Sequence, residues 1–308
     1  MNLLLTGAWQ GAKQHIEEIE AMGHKVLFMQ YEKDSLPCDY SWVQGVVCNG
    51  LFLTHPIEKF TNLRYIQLTS AGYDRVPLEY IQDHRIKIFN VCGVYSIPMA
   101  EYAVSGVLQI YKHTAKFAEN QKKMLWQKDR DIAELFGKTV CIFGCGNVGT
   151  CCAKLFKAFG CRVYGGDVCV REDDNYSKIL PMTSADDLIS QSDIVLLTLP
   201  LTEQTRHFIN SERLEKFKPG ALLVNISRGA VVDTHALENA LNNRKIGGAV
   251  LDVFEEEPLS ESSPLWSMDN VIITPHNSFV GENNNDRLNL CIFKNLESAG
   301  VKNENYTY

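Results

Sequence analysis

Four groups of residues in this chain have the types and spacing to do chemistry. Gly144-Cys145-Gly146-Asn147-Val148-Gly149 follows an apolar run and opens a helical one. Its first glycine can make a tight turn, its second can let a pyrophosphate reach the backbone, and its third can let helix and strand close on each other. Asp167 lies eighteen positions beyond Gly149 at the end of the next apolar run. A carboxylate there can accept both hydroxyls of an adenosine ribose and would repel a 2′-phosphate, which favours NAD over NADP. Arg228, between Ser227 and Gly229, offers a planar fork that can hold a carboxylate and polarise the carbonyl beside it. His276, after Thr274-Pro275, can pass a proton to or from a carbonyl oxygen near neutral pH.

The fourth group is acidic: Asp252, Glu255, Glu256 and Glu257. A carboxylate bonded to one imidazole nitrogen would orient His276 and favour its charged form. Spacing alone does not choose among these acids, although Asp252 and Glu257 face inward most easily if Glu255 and Glu256 face water. The chemistry that needs these parts and no metal is hydride transfer between a nicotinamide and C2 of a small 2-keto or 2-hydroxy acid. Arg228 would bind the carboxylate and His276 would exchange the proton at the C2 oxygen. The other seven histidines, His207 and His235 among them, read as surface or packing residues.

These residues must be positioned by strand ends. Short apolar strands are predicted at 2–6, 24–29, 45–48, 64–69 and 86–89, with a helical run at 13–22. From 137 onward, strands are predicted at 140–143, 162–165, 194–199, 222–226, 249–253 and 271–273, with helical runs between most of them. Nearly continuous apolar strands that alternate with helices imply an α/β protein whose parallel sheet is covered on both faces. In such sheets ligands bind beyond the carboxyl ends of the strands, where Arg228, the acidic run and His276 all fall. A long helix is predicted from Pro98 to a polar end at 119–123, with a domain boundary at 94–97. A last helical stretch, 286–296, leaves the sheet.

Size and composition narrow the function classes. At 308 residues the chain can hold two cores. Its 30 Lys and Arg stand against 37 Asp and Glu, so nucleic acid finds no electropositive surface to bind. The longest apolar runs are too short to cross a bilayer, and the N-terminus lacks a basic region and full apolar segment, so a cytoplasmic protein is expected. Eight of the ten cysteines, at 48, 92, 141, 145, 151, 152, 161 and 291, lie in or beside apolar elements and read as small buried hydrophobes.

The motifs together resemble the D-isomer-specific 2-hydroxyacid dehydrogenase family: GCGNVG at 144–149 with Asp167, LPLTEQT at 199–205, KPGALLVNISRGAVVD at 218–233, LDVFEEEPL at 251–259 and TPH at 274–276. The resemblance implies a Rossmann-type doubly wound parallel sheet and a smaller flavodoxin-like substrate domain. It divides the chain into a substrate domain at 1–96, an NAD-binding domain at 97–280 and a substrate-domain segment returning at 281–308. It places the catalytic arginine, glutamate and histidine at Arg228, Glu257 and His276. It adds Cys145, Asn147, Val148, Pro200, Thr205, Ile226 and Asp252 to the glycines and Asp167 as NAD contacts. In the first domain it marks 70–74 as the substrate loop, with Ala71 and Gly72 joining Arg228 and His276 at the substrate. It implies a homodimer and leaves NAD-dependent formate or phosphite oxidation, or a catalytically silent NAD-sensing protein, as alternatives. Gly165-Gly166 before the ribose acid, and Asn277-Ser278-Phe279 after His276, depart from the family's usual residues.

Overall fold

The computed structural model describes residues 1–300. The last eight positions of the expected returning segment, 301–308, lie outside the described residues. The chain divides into two compact units, one of Met1–Val94 with the segment from Gly281 on, the other of Tyr95–Val280.

The first unit is built on β1 (Asn2–Thr6), α1 (Ile16–Ala21), β2 (Lys25–Met29), β3 (Gly45–Cys48), β4 (Tyr65–Leu68), α2 (Leu78–Asp83) and β5 (Lys87–Phe89). Its strands are all parallel in the order β2-β1-β3-β4-β5. Leu3, Leu4 and Leu5 of β1 and Val46 and Val47 of β3 are wholly buried, as central strands covered on both faces require. The helical run expected at 13–22 is a 3-10 turn, Ala12–His15, that runs into the short α1.

The second unit begins with α3 (Ser96–Tyr111) and α4 (Thr114–Lys122). These replace the single long helix expected after Pro98. His113 between them has φ +49°, in the left-handed region where a right-handed helix cannot continue. Its imidazole Nδ1 donates to Asp129 at 2.8 Å. There follow β6 (Thr139–Phe143), α5 (Asn147–Ala158), β7 (Arg162–Asp167), β8 (Lys178–Pro181), α6 (Ala185–Gln191), β9 (Ile194–Leu197), α7 (Ser211–Lys216), β10 (Leu222–Asn225), α8 (Thr234–Asn242), β11 (Gly248–Leu251) and β12 (Val271–Ile273). The strands form a parallel sheet in the order β12-β11-β10-β9-β6-β7-β8. Strand order reverses between β6 and β9, and that switch point is where an open α/β sheet leaves a crevice for a ligand.

The chain then returns to the first unit as α9 (Asn284–Gly300), where Asn289 accepts the buried Trp9 indole at 2.7 Å and Asn295 donates to Gln67 at 2.9 Å. None of the ten cysteines, all of them among the described residues, is in a disulfide. Cys48, Cys141, Cys145, Cys152 and Cys161 are buried, but Cys92, expected inside, is exposed. Among the described residues no helix is long and apolar enough to cross a membrane.

Candidate functional site

The three motif glycines do different physical work. Gly144 has φ +92°, and a Cβ there would lie 2.8 Å from the Thr198 carbonyl oxygen. A Cβ on Gly149 would lie 2.0 Å from the Gly144 carbonyl oxygen, so only glycine lets α5 close on the turn. Around Gly146 a Cβ would meet nothing within 4 Å. Two glycines are thus demanded by the protein itself, and the remaining one leaves clear space at the uncapped N-terminus of a twelve-residue helix, which suits a pyrophosphate. Burial pushes the Cys145 thiol up to about 12, so it adds no negative charge to that loop.

Asp167 ends β7 with its carboxylate turned to the same loop. One oxygen accepts the Cys145 amide at 2.5 Å and the other the Cys169 amide at 2.9 Å, while Arg171 donates to the Cys145 carbonyl. The unusual Gly165-Gly166 pair has a local cause. A Cβ on Gly165 would lie 2.4 Å from the Cys145 sulfur, and one on Gly166 2.5 Å from the Phe143 ring. The bulk missing from β7 is supplied by its neighbours. Asn147 and Val148 open α5, and beyond β9 the Thr205 hydroxyl donates to the Pro200 carbonyl at 2.6 Å and accepts the Thr202 amide at 2.8 Å. Ile226, just past β10, is buried.

Three adjacent strands carry the remaining groups. Arg228 follows β10, half-buried, with Nη1 donating to the Ser227 carbonyl at 2.8 Å. Gly229 must be glycine, because a Cβ would fall 1.8 Å from the Phe254 carbonyl carbon. Beyond β11, Glu257 accepts the Phe254 amide at 3.1 Å with one oxygen and His276 Nδ1 at 2.9 Å with the other. A carboxylate only accepts, so Nδ1 carries a proton and Nε2 is the nitrogen left for exchange with a ligand. His276 itself has φ +51°, a left-handed conformation that a non-glycine residue keeps only when its surroundings impose it.

Asp252 imposes it. The side chain is 0% exposed. Its Oδ1 accepts the Thr274 hydroxyl at 2.5 Å and the Asn277 amide at 2.7 Å, its Oδ2 accepts the Ser278 amide at 2.9 Å, and its carbonyl accepts the His276 amide at 2.7 Å. These bonds direct the carboxylate to the histidine loop rather than to an external ligand. Of the acids that spacing could not separate, Glu257 meets the imidazole and Asp252 holds the backbone beneath it.

Glu255 does not simply face water. It accepts His207 Nε2 at 2.8 Å and the Thr234 amide at 2.9 Å. Burial opposes its charge, but the His207 and Thr234 bonds outweigh that and lower its pKa. His207, read from sequence as a surface or packing residue, is therefore the second histidine tied to the acidic loop. No local signal could have paired residues 48 positions apart. In the other unit, Ala71 and Gly72 lie just past β4, where the Ala71 carbonyl accepts Asn90 at 2.7 Å and the Gly72 carbonyl accepts Ser70 at 3.2 Å.

Residues 104–278, more than half the chain, match the family described as D-isomer specific 2-hydroxyacid dehydrogenase, NAD binding domain. The chain belongs to this family. It is an NAD-dependent 2-hydroxyacid dehydrogenase, with a nicotinamide dinucleotide as its cofactor. A glyoxylate reductase of Korarchaeum cryptofilum is 32% identical over 261 residues, covering 81% of this chain and 79% of that protein. A hydroxypyruvate reductase of Thermotoga maritima is 36% identical over 225 residues, covering 71% and 72%. Among solved structures, the D-lactate dehydrogenase of Aquifex aeolicus complexed with NAD and lactic acid superposes with a TM-score of 0.82 at 28% identity, covering 97% of this chain and 95% of that one. The two-domain dehydrogenase fold expected from the motifs is the one observed.

Proposed function

We propose that this dehydrogenase interconverts a small 2-keto acid and its D-2-hydroxy acid, with Arg228, Glu257 and His276 as the catalytic set. The observation that carries this reading is the 2.9 Å bond from His276 Nδ1 to Glu257 at the end of β12, two strands from Arg228 at the end of β10. Arg228 binds the substrate carboxylate through its fork and polarises the C2 carbonyl. His276 Nε2 gives its proton to the C2 oxygen during reduction and takes it back during oxidation, while Glu257 stabilises the charged imidazole and holds its plane. Bound in its reduced form, the nicotinamide supplies the hydride to C2. The glyoxylate and hydroxypyruvate reductases among the relatives support a small group at C2. A panel of 2-keto acids with NADH, followed by chiral analysis of the product, tests the reading. Tight NADH binding with no turnover on any member would replace it with a silent NAD sensor, and turnover confined to formate or phosphite would replace the substrate class.

The glycine motif, Gly144, Cys145, Gly146, Asn147, Val148 and Gly149, forms the pyrophosphate seat of this reading, with Asp167 on the ribose and Pro200, Thr205 and Ile226 lining the nicotinamide half. Asp167 already ties down the Cys145 amide, so its charge stands beside the ribose position rather than swinging into solvent. NADH should therefore exceed NADPH in kcat/KM by at least about tenfold, or ~1.4 kcal/mol. Equal efficiencies, or an advantage for NADPH, would remove Asp167 from this role.

A homodimer is the assembly we propose, and surface chemistry on the second unit supports it. Met124 is 92% and Trp126 98% exposed, with Leu125 between them also exposed, just past α4. An apolar cluster of this kind marks an interaction surface, and a second copy of the chain is the proposed occupant. Sedimentation equilibrium should give about twice the 34.7 kDa chain mass across a concentration series. A single-chain mass throughout would exclude it.

A further inference from the structure

A hydrogen-bonded chain reaches the histidine loop from α3. The Tyr102 hydroxyl lies 2.5 Å from Thr274 Oγ1, and Thr274 Oγ1 lies 2.5 Å from Asp252 Oδ1. The ionised carboxylate can only accept, so the single Thr274 hydroxyl proton goes to Asp252, and Tyr102 must donate to Thr274. Burial pushes the Tyr102 phenol above its ordinary pKa, which keeps that donor protonated. The helix is registered on the sheet one turn further on, where Gly106 faces Val250 of β11 so closely that a Cβ would lie 2.5 Å from the valine methyl. Tyr102 thus meets the strand end that bears Asp252 from a fixed seat.

We infer that Tyr102 is a positioning residue for His276, acting through Thr274 and Asp252. Asp252 has no exposed surface, and its carboxylate accepts from Thr274, Asn277 and Ser278, none of them a cation. A buried charge held by oriented donors depends on each of them, and a donor whose own oxygen is engaged polarises the next bond. Tyr102 fixes the Thr274 hydroxyl on Asp252, whose carboxylate in turn fixes the Asn277 and Ser278 amides that follow the left-handed His276. Loss of the phenol hydroxyl lets Thr274 rotate, relaxes that clamp and misplaces the imidazole, and a misplacement of ~1 Å is enough to cost catalysis heavily.

The inference rests on the proposed role of His276, and its test has one arm that needs no turnover. Tyr102→Phe should lower kcat for keto-acid reduction about five- to tenfold while the NADH dissociation constant stays within about twofold. In a Thr274→Val background the same substitution should add nothing, because the route through Thr274 is already cut. A Tyr102 that merely fills space would give the same loss in both backgrounds. Independently, hydrogen–deuterium exchange of a peptide spanning 274–280 should quicken in Tyr102→Phe while peptides elsewhere in the 95–280 unit keep their protection. Unchanged kcat, an additive loss, or unaltered exchange would each overturn the inference. If the wild-type protein reduces no 2-keto acid, the functional reading fails and the exchange arm alone decides whether the clamp exists.

Discussion

Replacement of His276 by asparagine should lower kcat/KM for 2-keto acid reduction by roughly 10²- to 10⁴-fold, the usual worth of a positioned general acid. Asparagine is the informative substitute because the position has φ +51°. Among non-glycine residues, asparagine tolerates the left-handed region comparatively well, whereas alanine would add backbone strain to the loss of the imidazole. The Asp252 clamp on the 276 amide and the flanking amides does not involve the imidazole, so the loop should keep its shape. NADH affinity, read by fluorescence titration, should therefore change by less than about threefold, leaving the loss in the chemical step. Oxidation of the hydroxy acid should fall in parallel, since in the proposed mechanism the same Nε2 takes up the proton in that direction. Activity within about threefold of wild type, with NADH binding intact, would mean that another group moves the proton.

The sheets were legible because their strands are buried on both faces and so read as nearly unbroken apolar runs. The ranges 45–48 and 271–273 were predicted to the residue. β8 was missed, since Lys178–Pro181 is a short edge strand that starts with lysine and ends with proline and carries little apolar signal. The helix break at His113 was invisible to periodicity, which reports which side chains face inward but not the sign of φ. At the site, strand–loop–helix order located the glycine turn and the strand ends bearing Arg228 and His276. The partners of the acidic residues were a different matter. Glu257 reaches His276 across 19 positions, Asp252 reaches Ser278 across 26, Glu255 reaches His207 across 48 and Tyr102 reaches Thr274 across 172. Each pairing is set by which strand ends, loops and helices the fold brings together, a property of the whole chain that no local window contains.

Arg228→Ala should cost about 3 kcal/mol or more in kcat/KM, roughly 150-fold, and the loss should be divided between its two terms. A guanidinium that holds the substrate carboxylate acts already in the ground state, so part of the loss should appear as a higher KM for the keto acid. A guanidinium that also faces the C2 oxygen acts more strongly as negative charge develops there, so kcat should fall as well. Arg228→Lys separates the two. Lysine keeps a positive charge but presents a point rather than a planar fork, so it should restore KM more than kcat. The fold should tolerate both variants, because Arg228 lies half-buried past the end of β10 and is not part of the hydrophobic core. The tight packing at this turn belongs to Gly229 against Phe254, which neither substitution touches. Thermal midpoints within about 3 °C of wild type and unchanged NADH affinity would show that the kinetic loss is local. If kcat/KM for Arg228→Ala matched wild type under those conditions, the carboxylate anchor would have to lie elsewhere, and the reading of this strand end would fall with it.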